Sequence, residues 1–282
     1  MDSVIIKNEK WQAEIVPGWG GNLISLTCEG REIFRKPENM QALLESPVLH
    51  GLPLLLPANR TKDARFSFEG KEYALPMNEP VRSNHLHGLL NHAPFTLQEV
   101  SWDKVTVFLE NKGEYYPFPF TVTITDTLTA EGLSRVLVLE NTGPGPMPYT
   151  LAYHATFTEP KCFSVPLDKR YSVDERMIPT GQLQELTSAE LLYCTGMDPQ
   201  SGPVGGFYTS AGHSVQLDGY CMTVSEQFDN WVLFNGGGGK GYLCIEPQCG
   251  AVDGLNNGRC RILEAGQKEI FTVRIYRKAG EA

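Results

Sequence analysis

The chain has 282 residues, 41% of them hydrophobic and 20% charged, with a formal net charge of −9. That length and apolar share can fill the core of one large domain. The acidic balance argues against nucleic acid and anionic membrane surfaces as partners, because both call for basic patches.

No apolar run reaches the roughly 18 residues of a membrane span. The opening MDSVIIKNEKWQAEIVPG lacks the basic and then apolar segments of a secretory leader. TCEGREIF and FSFEGKEYAL each set a Glu-Gly pair between strand-like runs, the mark of a tight hairpin. QALLESP and, further on, SAELLYCTG read as short helical turns, and neither sustains helical periodicity for ten residues. A continuous apolar run from Leu52 to Pro57, broken only by Pro53, leads into Asn59 and Arg60.

FTVTITDTL, from Phe120 to Leu128, alternates apolar residues with threonine, as a half-buried strand does. LENTGPGPMPY and FNGGGGKGY are Gly- and Pro-rich loops. The Gly236–Gly239 run lacks the strand–GxxxxGK[ST]–helix setting of a phosphate cradle. EIFTVRIYRK alternates again through Phe271, Val273 and Ile275. No long helix alternates with the strands, no repeat of fixed period is visible, and no linker divides the chain. The expectation is an all-β fold, one large antiparallel β-sandwich over residues 1–282. Seven scattered cysteines without a CxxC pair fit reduced thiols in a cytoplasmic protein.

Four stretches carry residues suited to chemistry. In SNHLHGLLNHAPF, His85 and His87 lie two apart, so on a strand both face one side. A metal-binding cupin follows such a pair with a glutamate, whereas Leu90, Asn91 and His92 stand there here, so no metal site is expected. In MPYTLAYHATFTEP, His154 follows an apolar, aromatic stretch, and a hydrogen-bonded core histidine is the plainer reading. Arg60, close to buried sequence, needs a partner, either a carboxylate or a ligand hydroxyl. In GKGYLCIEPQCG, Glu246 follows the apolar run Tyr242–Ile245 and precedes Pro247 and Gln248. A buried carboxylate is costly unless paired, so Glu246, at the end of what reads as a buried strand, is expected to pair with a nearby arginine or backbone N–H, while the glycines on both sides suggest close backbone approaches around a cavity.

Taken in order, ANR…F.F.GK.Y.LP.N, NHLHG, a histidine after a long strand pair, D…IPTG and CIEPQ…VDGLN resemble the aldose 1-epimerase (galactose mutarotase) family, from about Leu52 to Asn256. The resemblance implies a large antiparallel β "supersandwich" and interconversion of the α and β anomers of a free aldose, with no cofactor or metal. It implies Glu246 as general base and His154 as general acid, with Arg60, His87, Gln248 and Asn59 contacting the sugar. The sugar is the implied partner, to a monomer or homodimer. Two departures stand out. SGPVGGFYTS lacks the family's hydroxyl-gripping aspartate, and HGLLNHAPF replaces the usual continuation of the HG motif. Other readings stay open. One is a hexose-6-phosphate 1-epimerase using Arg65 or Arg82. Others are a glycosidase or lyase with Asp174 or Asp253 as second carboxylate, and a sugar-binding protein without turnover.

Overall fold

A computed structural model of the chain describes residues 2–278. The Glu-Gly hairpins form as expected. Asn22–Cys28 and Arg31–Glu32 pair across Glu29 and Gly30, with φ of 51° and 81°. Arg65–Phe68 and Lys71–Ala74 pair across Glu69 and Gly70, with φ of 49° and 74°. Two successive left-handed residues match the twist of the flanking strands, which is why Glu-Gly suits these turns.

Phe120–Leu128 is a strand with strictly alternating burial, its apolar residues inward. It pairs with Lys104–Asn111 on one side and Gly132–Asn141 on the other. These belong to an eight-stranded antiparallel sheet that continues through Lys268–Arg277 and Tyr220–Val224. The inward face carries one charged pair that the alternation did not announce. Asp126 and Arg135 are cross-strand partners, each about 1% exposed, joined by two hydrogen bonds of 2.7 and 2.8 Å. Arg135 also donates to the Leu52 and Gly21 carbonyls, so its remaining N–H groups tie the sheet to the N-terminal strands.

A second large antiparallel sheet runs in the order Pro179–Glu185, Leu167–Val173, Gly205–Ser210, Asn230–Phe234, Tyr242–Cys249, Leu151–Tyr153 and Leu54–Leu55. The largest apolar cluster draws on both sheets and on the N-terminal strands, from Ile6 through Ile124, Trp231 and Ile245 to Ile275. The result is the antiparallel β-sandwich that the alternation predicts. The two short helices also form, Met40–Glu45 and Ser188–Thr195. Thr187 and Glu190 close a capping box on the second.

Two local expectations need correction. Glu246 does not end its strand, because Tyr242–Cys249 runs on through Pro247 and Gln248 with every residue buried. Proline, which has no N–H to give, is usually excluded from a central strand. It is tolerated here because the neighbouring strand is interrupted alongside it. The second correction concerns the histidine pair. The strand Asn84–Leu86 stops before His87, which takes a left-handed φ of 65°, so His85 and His87 are not strand neighbours on one face. Among the described residues, no helix is long and apolar enough to cross a membrane.

Candidate active site

The interruption creates the site. Leu151–Tyr153 and Thr156–Thr158 both pair with Tyr242–Cys249 in one register, with Ala152 opposite Gln248 and Thr156 opposite Cys244. The break between them, at His154, therefore lies opposite Glu246. His154 Nε2 is 3.3 Å from Glu246 Oε1, and both side chains are within 5% of full burial. Period-two alternation puts Cys244, Glu246 and Gln248 on one face of their strand, with His154 and Thr156 beside them. The next strand continues the row, Val232 being the partner of Glu246 and Phe207 the partner of Val232.

The hydrogen bonds fix the histidine tautomer. Thr156 Oγ1 lies 3.1 Å from the Val48 carbonyl, to which it donates, and 3.3 Å from His154 Nδ1. With its proton committed, the hydroxyl accepts from Nδ1–H, so Nε2 faces Glu246 as an acceptor. Burial holds both groups in their neutral forms. It pushes Glu246 from 4.5 up to about 8, against the opposing pull of the Arg60 charge, and pushes His154 down to about 4. Although the pair sits at ion-pair distance, its resting state is a carboxylic acid donating to a neutral imidazole.

Arg60 and His87 come from a small separate ladder, Arg60–Lys62 against Asn84–Leu86. Asn59, at φ 53°, and His87 turn out of it together, with His87 N–H donating to the Asn59 carbonyl. The His87 ring meets the edge of His154 with centroids 5.2 Å apart. Gly88 is required at this turn. Its φ is 62°, and a Cβ there would lie 2.1 Å from the Leu56 carbonyl oxygen. Burial first, then the positive charge His154 gains if protonated and that of Arg60, hold His87 well below its ordinary 6.5, so it too is neutral.

Arg60 has the carboxylate partner that its position demanded. Its Nε and Nη2 each donate to Glu79 at 2.9 Å, and Nη1 reaches Asn59 Oδ1 at 3.3 Å. Glu79 also accepts from Arg82 and Asn84. Burial alone would raise the Glu79 pKa, but these donors outweigh it and lower it. The loop after the Glu246 strand locks the ladder in place, because Asp253 Oδ1 accepts from Lys62 N–H and Asp253 N–H donates to the Arg60 carbonyl.

Among the described residues, three buried polar atoms here have no partner: Glu246 Oε2, Gln248 Oε1 and His87 Nδ1. Buried polar atoms are nearly always satisfied, so their convergence marks a place for hydroxyl groups. Tyr171, Phe207, Val232, Ala251 and Val252 form an apolar cluster along the same row, a surface suited to the C–H face of a sugar ring. The structure thus brings Glu246, His154, His87 and Gln248 together and joins Arg60 to Asn59 through the Asn59 Oδ1. His85 stands apart, its Nδ1 held by the Pro76 carbonyl at 2.6 Å. Glu79 and Thr156 escaped the sequence reading: Glu79 stands between two of the marked stretches, and Thr156 stands inside MPYTLAYHATFTEP two residues after His154, where a threonine carries no signal of its own. Tyr171 sits in the YSVDERMIPTGQL segment of the motif succession, which did not flag it. Among the described residues, the convergent metal-capable set is His154, Cys244 and Glu246, not the HxH pair.

Comparison with known proteins agrees with this fold. The chain is similar to a galactose mutarotase-like protein from Clostridium acetobutylicum, at a TM-score of 0.90 and 23% identity, covering 98% of this chain and 95% of that one. It is also similar to a galactose 1-epimerase from Lactobacillus acidophilus, at a TM-score of 0.80 and 15% identity, covering 99% and 95%. Over 172 residues it is 30% identical to the uncharacterised protein YihR of Escherichia coli, a match spanning 57% of this chain and 54% of that protein. Residues 2–203 match the aldose 1-epimerase family model, and the chain therefore belongs to the aldose 1-epimerase family.

Proposed function

We propose that the protein interconverts the α and β anomers of a free aldohexose, with Glu246 and His154 moving the protons. The observation that carries this reading is the cross-strand pair at 3.3 Å, with one carboxylate oxygen left unpartnered. Ring opening needs one group to take the proton from the C1 hydroxyl and another to give one to the ring oxygen. Closure on the other face reverses the two roles. The resting pair holds one shared proton on Glu246. Sugar hydroxyls donating to the carboxylate, together with the Arg60 charge, favour its passage to His154 Nε2. Glu246 then acts as base and His154 as acid, with no change in the number of protons bound. Each positioned proton transfer contributes on the order of 10²–10⁴ in rate. Arg60, held rigid by Glu79, and Gln248 Oε1 keep the ring in place while C1 turns.

The hydrolytic reading lacks its second carboxylate. Asp174 Oδ1 accepts from the Arg176 and Ile178 N–H groups, and Asp253 Oδ1 from Lys62 N–H and the Asn256 side chain. Both are spent on holding turns. Of the basic groups that favour a phosphorylated sugar, Arg82 is bound to Glu79. The test is polarimetry of freshly dissolved α-glucose, α-galactose and glucose 6-phosphate, with Glu246→Gln as control and the spontaneous rate subtracted. Acceleration lost in the variant supports the reading, and the best sugar names the substrate. Sugar binding with no acceleration would overturn it in favour of a binding protein.

A further inference from the structure

The face that carries the pair holds one more reactive group. Cys244 lies two residues before Glu246, on the same side of the strand, and Thr156, two residues after His154, stands opposite it. Cys244 Sγ is 3.5 Å from Thr156 Oγ1. One nitrogen of His154, the sulfur of Cys244 and one oxygen of Glu246 all lie within 4.8 Å of one another. All three residues are buried, and Glu246 Oε2 has no partner.

We propose that His154, Cys244 and Glu246 form a binding site for a soft divalent cation of the zinc type, and that its occupation shuts off anomer exchange. The donor set decides the ion. Imidazole and thiolate together select zinc-like cations, whereas magnesium and calcium take oxygen donors. Zinc commonly takes three protein ligands of this kind in a tetrahedron and leaves the fourth position open. The ligand distances of such a tetrahedron put its donor atoms ~3.5 Å apart. The His154–Glu246 separation of 3.3 Å already fits, and the sulfur lies within 4.8 Å of both other donors. The second shell is present as well, because Nδ1–H of His154 is held by Thr156 Oγ1, the arrangement that orients a ligating histidine.

Binding forms bonds from the metal to Nε2, Sγ and the carboxylate, and releases the thiol and carboxyl protons to solvent. The Nε2 lone pair and the carboxylate are then occupied. Neither can carry a proton, so the cation excludes catalysis. This inhibitory consequence rests on the anomer-exchange reading; binding of the cation does not.

Cobalt(II), as a spectroscopic stand-in for zinc, tests the two separately on the full chain. Titration of the purified protein is expected to give a near-ultraviolet thiolate-to-cobalt band that zinc displaces. Cys244→Ser should abolish the band, and Cys162→Ser, at an exposed cysteine outside the cluster, should leave it unchanged. In polarimetry, zinc should inhibit the wild type and magnesium should not. The zinc inhibition constant, taken for each protein against its own metal-free rate, should rise at least about tenfold in Cys244→Ser. Cys244→Ala repeats the comparison if the serine variant folds poorly. No band in the wild type, or equal zinc sensitivity in wild type and both variants, overturns the proposal. If no sugar is turned over, the functional reading fails, and the cobalt band still decides whether the site exists.

Discussion

Replacing Glu246 by glutamine should abolish activity and strengthen the fold in one step, and the strengthening should depend on pH. The amide preserves shape but cannot exchange a proton, so exchange above the spontaneous rate falls by on the order of 10²–10⁴. The stability effect follows from where the carboxyl titrates. Below pH 4.5 the side chain is neutral in both folded and unfolded chains, and burial carries no ionic penalty. Between 4.5 and about 8 the unfolded chain ionises while the native carboxyl keeps its proton, so unfolding is favoured progressively. Above pH 8 the whole penalty is present. At about 1.4 kcal/mol for each tenfold step, a rise from 4.5 to about 8 corresponds to ~5 kcal/mol. Glutamine cannot ionise and escapes it. Urea denaturation of both proteins at pH 4.5, 6.5 and 8.5 measures the difference, and any pH-independent cost of burying the amide cancels between pH values. The variant should gain on the wild type by several kcal/mol across this window. A flat difference, or a variant that loses ground as pH rises, would show that Glu246 is ionised in the native protein and would refute the neutral-pair account.

Four further outcomes are expected. The pH profile of kcat/KM should be a bell with limbs near 4 and 8, because the pair holds its single shared proton only between those values. In Arg60→Met the alkaline limb should move upward, since the arginine charge is what holds the Glu246 pKa down, and KM should rise with it; an unmoved limb would place Arg60 electrically outside the site. Away from the reacting groups, Asp126→Asn should destabilise by about 3–5 kcal/mol in chemical denaturation by stranding the buried Arg135 charge. Gly88→Ala should cost at least about 2 kcal/mol through the left-handed backbone and the clash with Leu56, with lost sugar turnover as its companion because His87 moves with the turn.

The sheet architecture was readable because half-buried strands alternate and Glu-Gly turns demand left-handed backbone; Phe120–Leu128 shows both faces of that rule in its burial. The strand that matters most gave no such signal. Tyr242–Cys249 is buried on both faces, so its apolar run has no period. Leu243 and Ile245 fill the core while Cys244, Glu246 and Gln248 face the site. Only the charge of Glu246 broke the run, which is why a sequence reading could single out the residue yet misplace it at a strand end. Its partners were less accessible still. Arg60 finds Glu79 nineteen positions away across a turn, and Asp126 finds Arg135 through a hairpin; neither pairing leaves a trace in local composition. His154 is the instructive case. Taken alone it reads as a satisfied core histidine, and its Nδ1 is indeed satisfied, by Thr156. In the proposed mechanism its reactivity comes from the opening of the ladder where it stands, which leaves Nε2 facing a carboxyl group across the gap. A break in one strand does what a catalytic motif would otherwise have to encode, because it frees two side chains from packing while the register on either side fixes their separation. On the proposed mechanism the proton-transfer geometry is therefore a property of the sheet, and substitutions that repair the break, joining Leu151–Tyr153 to Thr156–Thr158 as one continuous strand, should suppress activity without touching Glu246 or His154.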